Sequence, residues 1–582
     1  MQGRPWAGTL ACGGAVLAAY LGVMVWLTWP LAGSLRSALP SSHFACRFDL
    51  PYAIWALAYE THALATAPGR FADANIFHPA TSALFYGQTG IGALPLFAPV
   101  FLATGNPALA GNVTFLLGLA LTATALHLVV RRWTASHLAG AVAAATLLAN
   151  QWLIWDFVPT APHWATLELL PVIALLAATP FTSTWAALRL VPVLAVQCAT
   201  DPVYIAPAVL APLAVLAALR LARRSTRAAA LRLLVALGLT VVALSPIYGA
   251  YVAVRSRNPD LARQTSWVVT EASFPMPLVS RFFEAVVPLR LSTPALVIVA
   301  LGAVAALWNR RTRGPSASPS GWRQGVLWLV VSGVLASPPV ATVGTTRIRM
   351  PLGWAELAMP VLGTFRVPSR FGVSGLVGLA ILCGVGFAAL AGAIDGLLRL
   401  RPSVARVART ALAVAAVVWI YRTYVDGYRG FPSGTRMPPA YPTQPAPAVP
   451  APFLAGLRAS RAPLLELPAR TGLGSEAEQA LAMYHSISHW RPLLNGYSSY
   501  WPVGFPERMA EAARLPEPGA LEHLVETTGL GAVWVHTQAL APERRAAWSA
   551  PPPPQAGHAG LVVVARGGPD VLYAVEPPPP GP

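Results

Sequence analysis

Apolar runs separated by short arginine-bearing connections fill the first 425 residues of the 582-residue chain. Each run is about 17 to 24 residues long, the length at which a helix crosses some 30 Å of hydrocarbon. The pattern predicts eleven transmembrane helices, near 8–30, 107–130, 137–153, 164–180, 184–200, 202–221, 228–250, 292–309, 324–343, 371–394 and 408–425. One further apolar run, 90–104, is short and interrupted by Pro95 and Pro99, which suits a helix lying in the membrane interface. After residue 425 the pattern changes. Residues 430–452 read as an extended Pro-rich linker. Beyond it, short apolar runs at Leu464–Leu467, Ala532–Val535, Leu561–Val564 and Val571–Val575 predict strands. They alternate with helical patterning at 475–485, 505–514 and 517–528. The predicted fold class is a polytopic α-helical membrane protein: a transmembrane domain over 1–429 and a small α/β domain over 453–582.

Composition supports this class, with 55% hydrophobic and only 11% charged residues, against roughly a quarter charged in soluble domains. The net charge of +18 suggests a nucleic-acid partner at first sight. Every basic residue is arginine, however, and many sit in clusters beside apolar runs: Arg131-Arg132, Arg220 to Arg227, Arg310 to Arg323 and Arg399 to Arg409. That placement reads as orientation and contact with anionic membrane lipid, not nucleic-acid binding. Eleven spans with the N-terminus inside put all these clusters on the cytoplasmic face. The loop 31–106, the segments 251–291 and 344–370 and the C-terminus then face the exterior. The first apolar run is too long for a signal-peptide core and reads as a retained helix. Four widely spaced cysteines imply neither a disulfide framework nor a metal site.

The long first loop gathers the polar chemistry. Asp49 follows Arg47-Phe48 and precedes Leu50-Pro51. A carboxylate near the apolar boundary is suited to taking a proton from an acceptor hydroxyl; a solvated loop acid or a helix cap is the competing reading. Asp73, Asn75 and His78 fall within six residues and offer two oxygens and an imidazole for a divalent cation or a sugar, or form an Asx-turn. A divalent cation is the one cofactor these residues leave open. Arg347, Arg349, Arg366 and Arg370 are exterior arginines against the positive-inside trend. Their guanidinium groups suit bidentate binding of a lipid phosphate, or else pair with Glu271, Glu284 or Glu356. Asp156, His163 and Asp201, at span ends, read as caps or as cavity-lining groups. His489, Trp490, Arg491 and Asn495 could stack on and hydrogen-bond a carbohydrate, or dock the α/β domain. No Gly-rich phosphate loop, Cys-x-x-Cys pair, His-Glu-x-x-His or Gly-x-Ser-x-Gly occurs, which argues against a nucleotide-driven pump and a familiar hydrolase.

Taken together, these features resemble the GT-C polytopic glycosyltransferases, with Asp49 in the place of the first-loop acid and 90–104 in that of an interfacial helix. A narrower resemblance is to a group of bacterial membrane proteins labelled as glycosyltransferases. It rests on Phe48-Asp49-Leu50-Pro51, Ala74-Asn-Ile-Phe-His-Pro79, Arg366-Val-Pro-Ser-Arg370-Phe371, Leu465-Glu466-Leu467-Pro468 and the run His489-Trp-Arg-Pro-Leu-Leu-Asn495-Gly-Tyr-Ser498. The resemblance implies a bacterial cytoplasmic-membrane enzyme, with Asp49 as catalytic base and exterior arginines holding a polyprenyl-phosphate-linked sugar. The acceptor would be a glycan, lipid or protein. The chain departs from the group at Tyr86-Gly87-Gln88, where an acid is expected. A non-catalytic or transport protein for a lipid-linked envelope glycan would use the same arginines without needing Asp49 as a base.

Overall fold

The computed structural model describes residues 5–258, 262–263, 271–274, 292–313, 319–343, 346–359, 365, 367–398, 401–428, 437–471, 474–549, 551–555 and 558–577. Arg366, one of the arginines singled out above, lies outside them, as does Glu284.

The protein is a polytopic helical membrane protein. Among the described residues, five helices are long and apolar enough to cross a membrane: Pro107–Thr134, Arg224–Arg257, Thr293–Thr312, Pro368–Leu397 and Pro402–Asp426. A sixth crossing results if His137–Leu148 and the segment Gln151–Thr160, bent by 65°, act as one broken span. Hydropathy had suggested more. Leu169–Ala178, Thr184–Ala199 and Ile205–Leu221 are shorter apolar helices of 10–17 residues, which rise about 15 to 26 Å. Polar residues sit at the breaks, Asn150 inside the predicted span 137–153 and Ser183 and Asp201 between predicted spans. The side chain of Asn150 accepts from Trp152 N, and that of Ser183 from Ala186 N. Asp201 Oδ1 accepts from Val203 N and Tyr204 N, both at 2.8 Å. Asp201 is thus a cap, one of the two roles its sequence position allowed. Breaks of this kind persist at membrane depth only where protein covers them, and Asn150 and Asp201 are both buried.

The predicted span 324–343 also ends early. Pro338 and Pro339 follow the helix Pro319–Ala336, and Val340–Val343 is a strand, antiparallel to Thr346–Arg349 and parallel to Glu271–Phe274. The run 90–104 forms a helix over Leu94–Thr104, too short to cross alone. Small residues let the spans approach closely: a Cβ at Gly302 would lie 2.3 Å from Gly386 Cα.

The C-terminal apolar runs form one mixed sheet in the order Gly560–Gly567, Asp570–Glu576, Ala532–His536, Leu464–Leu467. The last pair is parallel and the others antiparallel. The helices Glu476–Ser486, Phe505–Ala512 and Pro518–Thr528 supply its remaining core. This core is continuous with the first loop: Ile54, Trp55, Ile76 and Phe77 are buried in the same cluster as Leu465, Leu493 and Val533. The Pro-rich stretch is no free linker over its described part. Thr443–Pro445 pairs antiparallel with Ala38–Pro40. Tyr441 is buried with its hydroxyl donating to Ile154 O at 2.9 Å.

Candidate functional site

Asp49 is the first residue of the helix Asp49–Thr66, whose face of Leu50, Ile54, Trp55, Leu57 and Ala58 is buried. A carboxylate there is favoured by the helix dipole. The Tyr497 hydroxyl donates to Asp49 Oδ1 at 2.7 Å. Arg370 lies in the turn Pro368–Phe371 that leads into the helix Gly372–Leu397. Its guanidinium carbon lies 4.1 Å from the Phe157 ring centroid and 5.3 Å from that of Tyr204, close enough for cation–π attraction to aim it. Asp49 and Arg370, 321 positions apart in the sequence, line one narrow cleft with Tyr52, Gln88, His163, Tyr497 and Ser498. The cleft encloses about 50 Å³, room for water but not for a sugar.

Glu60, three turns further along the same helix, was not singled out from the sequence. It is wholly buried. Its Oε1 accepts from Gly90 N at 2.9 Å, while Oε2 has no hydrogen-bond partner. Burial pushes its pKa up to about 8. Tyr52 lies between the two acids, its own pKa raised by burial first and then by Glu60 and Asp49. A single acid inside the apolar run Ala56-Leu-Ala-Tyr-Glu60 was the available signal for Glu60. Gln88 lines the cleft, and its backbone carbonyl accepts from Tyr52 Oη at 3.2 Å.

Most of the other candidate residues meet along a different line, where the first loop and the C-terminal region zip together. Leu493 N donates to Asn75 O, Phe77 N to Asn495 O and His78 N to Leu493 O, at 2.8, 3.0 and 2.9 Å. The Asn75 side chain accepts from Trp55 Nε1 at 3.2 Å and donates to Arg491 O at 3.1 Å. Asn495 is buried, its amide bridging Glu466 N and Glu466 O at 2.8 and 2.9 Å. Arg491, 2% exposed, donates from Nε to Ala462 O, and His489 Nδ1 accepts from Arg491 N. A Cβ at Gly496 would fall 2.3 Å from the Phe77 ring, so glycine is required there by close approach.

Trp490, with φ +53°, stacks on His62 at 4.3 Å and 7°. That φ is a strained one for a bulky residue. Its ring walls a cavity of about 540 Å³ with Arg70, Asp73, Asn75, His78 and Arg461. Asp73 Oδ1 accepts from Ser82 N at 2.8 Å, and His78 Nε2 donates to Thr528 O at 3.0 Å. Arg347 and Arg349 project from the exposed strand Thr346–Arg349 and do not line the Asp49 cleft.

No family model matches the chain, and no curated protein is similar to it in sequence. Solved structures are similar. One is the crystal structure of ArnT from Cupriavidus metallidurans in the apo state, with a TM-score of 0.48 and 15% identity, covering 97% of this chain and 98% of that one. Another is the same protein bound to undecaprenyl phosphate, with a TM-score of 0.46, 15% identity and 98% of each chain covered.

Proposed function

We propose that the protein is a membrane glycosyltransferase that moves a sugar from a polyprenyl-phosphate-linked donor to an acceptor hydroxyl at the exterior face. Residues 1–429 would be the transmembrane catalytic domain and 453–582 an exterior domain that completes the site. The observation that carries this reading is the convergence of Asp49, Arg370 and Tyr497 on one cleft. Asp49 takes the proton of the acceptor hydroxyl, and the freed oxygen attacks the anomeric carbon. The bond from that carbon to the phosphate oxygen breaks, with inversion. Polyprenyl phosphate leaves with its charge against the Arg370 guanidinium. Tyr497 holds the carboxylate in position. The larger cavity beside Trp490, Asp73 and His78 would hold the distal part of an acceptor glycan, with Trp490 as its stacking surface.

The test uses the full chain in lipid nanodiscs with a polyprenyl-phosphate sugar, products being read by mass spectrometry. Transfer by the wild type that is lost in Asp49→Asn, with the donor still bound, supports the reading. Equal transfer by Asp49→Asn overturns the role of the base. Copurified polyprenyl-linked glycan with no transfer by the wild type favours a carrier instead.

A further inference from the structure

The C-terminal sheet carries a cluster of acid and imidazole groups that the reaction above does not use. Glu466 sits on the strand Leu464–Leu467, His485 on the helix packed across the sheet, and His536 at the end of the adjacent parallel strand. Glu466 Oε2 lies 2.9 Å from His485 Nδ1 and 3.2 Å from His536 Nε2. One ligand atom from each of the three residues falls within 4.8 Å of the other two. Glu466 and His485 are buried, with side chains 3% and 5% exposed, and His536 reaches solvent at 20%.

We propose that Glu466, His485 and His536 form a binding site for a divalent transition metal of the zinc type, with its fourth position toward solvent. Two imidazoles and one carboxylate are the donor set such ions take when one position is left open. Three features separate the cluster from an ordinary buried ion pair. Glu466 Oε1 is buried without a hydrogen-bond partner, so the two imidazoles leave half of the carboxylate unsatisfied. Asp570 Oδ2 lies 2.8 Å from His536 Nδ1, which fixes a proton on that nitrogen and turns Nε2 toward Glu466. A carboxylate behind a ligating histidine is the usual outer partner of a metal site. The Asn495 amide clamps the backbone of Glu466 on both sides, and His485 is stacked on Trp534 at 4.8 Å, so two of the ligands are held before any ion arrives. Ligation needs His485 Nδ1 and His536 Nε2 free of protons, so the ion and protons compete for the site.

The experiment strips the full-length protein in detergent with a chelator and titrates it with Co²⁺, then displaces Co²⁺ with Zn²⁺. The expected result is one equivalent bound, with the intense visible bands of a low-coordinate ion, and affinity falling as pH is lowered. His536→Gln, at the most exposed ligand, abolishes those bands while circular dichroism stays native. Asp570→Asn weakens binding by roughly 10–100-fold. Folded wild-type protein that shows only the weak bands of hexaaqua Co²⁺ overturns the proposal, and leaves the cluster a hydrogen-bonded charge network. So does His536→Gln binding as tightly as the wild type. None of these readouts depends on glycosyl transfer.

Discussion

The Asp49 cleft and the seam between Asn75 and Asn495 both join the first loop to the C-terminal region, yet they use polar side chains in opposite ways. Along the seam, side chains are consumed by backbone groups: Asn495 serves both backbone atoms of Glu466, and Asn75 serves Arg491 O. In the cleft, Asp49 and Arg370 face the same open space from elements remote in sequence. A long polar motif can therefore be assembly chemistry, while two single residues with little sequence context form the proposed reactive pair. The difference predicts that substitutions in the cleft change turnover and leave stability intact, and that substitutions in the seam do the reverse.

Asp49→Asn breaks the comparison most severely if it fails. Loss of a positioned base lowers turnover by about 10²–10⁴-fold, and the apparent Tm in detergent stays within a degree or two of wild type, as expected for a partly exposed group. A large loss of Tm would move Asp49 into the structural class. Glu60, buried on the same helix outside the cleft lining, tests a third case. Its folded-state pKa of about 8 exceeds the ordinary 4.5, so the fold favours the neutral acid. Its contribution is fully present below pH 4.5 and is lost as pH rises towards 8. Glu60→Gln should flatten the fall in apparent Tm between pH 5 and pH 8, an effect of up to a few kcal/mol. Parallel Tm curves for the two proteins would contradict this.

Asn495→Ala tests the seam. It strands the N–H and C=O of Glu466 in the interior, at about 1–3 kcal/mol for each group left unpaired. Chemical unfolding should show the loss, while turnover per folded molecule holds. Arg370→Lys keeps the charge and removes the planar fork, so donor affinity should fall by about 1.5–3 kcal/mol, the worth of a hydrogen bond to a charged group. Donor titration with unchanged affinity would separate Arg370 from phosphate binding.

Much of the local structure was legible in the chain. The strands near Leu464, Ala532, Leu561 and Val571 and the helices between them announce themselves by period. The break inside the predicted span 137–153 was not, because hydropathy cannot see that Asn150 bonds the backbone locally and divides the run. Val340–Val343 was absorbed into the predicted span 324–343, its two preceding prolines being the missed signal. Within the site, Asp49 and Arg370 stood out by residue type and position. Glu60 did not, since a lone acid in an apolar run has no spacing to mark it. The roles of Arg491 and Asn495 were undecidable from spacing, because a guanidinium or amide that recognises a sugar and one that recognises a backbone have the same one-dimensional pattern.

The bond from Tyr497 to Asp49 has a consequence for the order in which the protein is made. The hydroxyl that holds the carboxylate is 448 residues downstream of it. At about 5–20 residues per second, roughly half a minute to a minute and a half of synthesis separates the two. Throughout that interval the first loop lacks the partner of its reactive acid, the chain that zips onto Asn75 and the strand that pairs with Ala38–Pro40. A chain that stops before Tyr497 would hold the described spans and lack that bond. On the proposed function, the segment that carries Tyr497 and the strand Thr443–Pro445 completes the surroundings of Asp49.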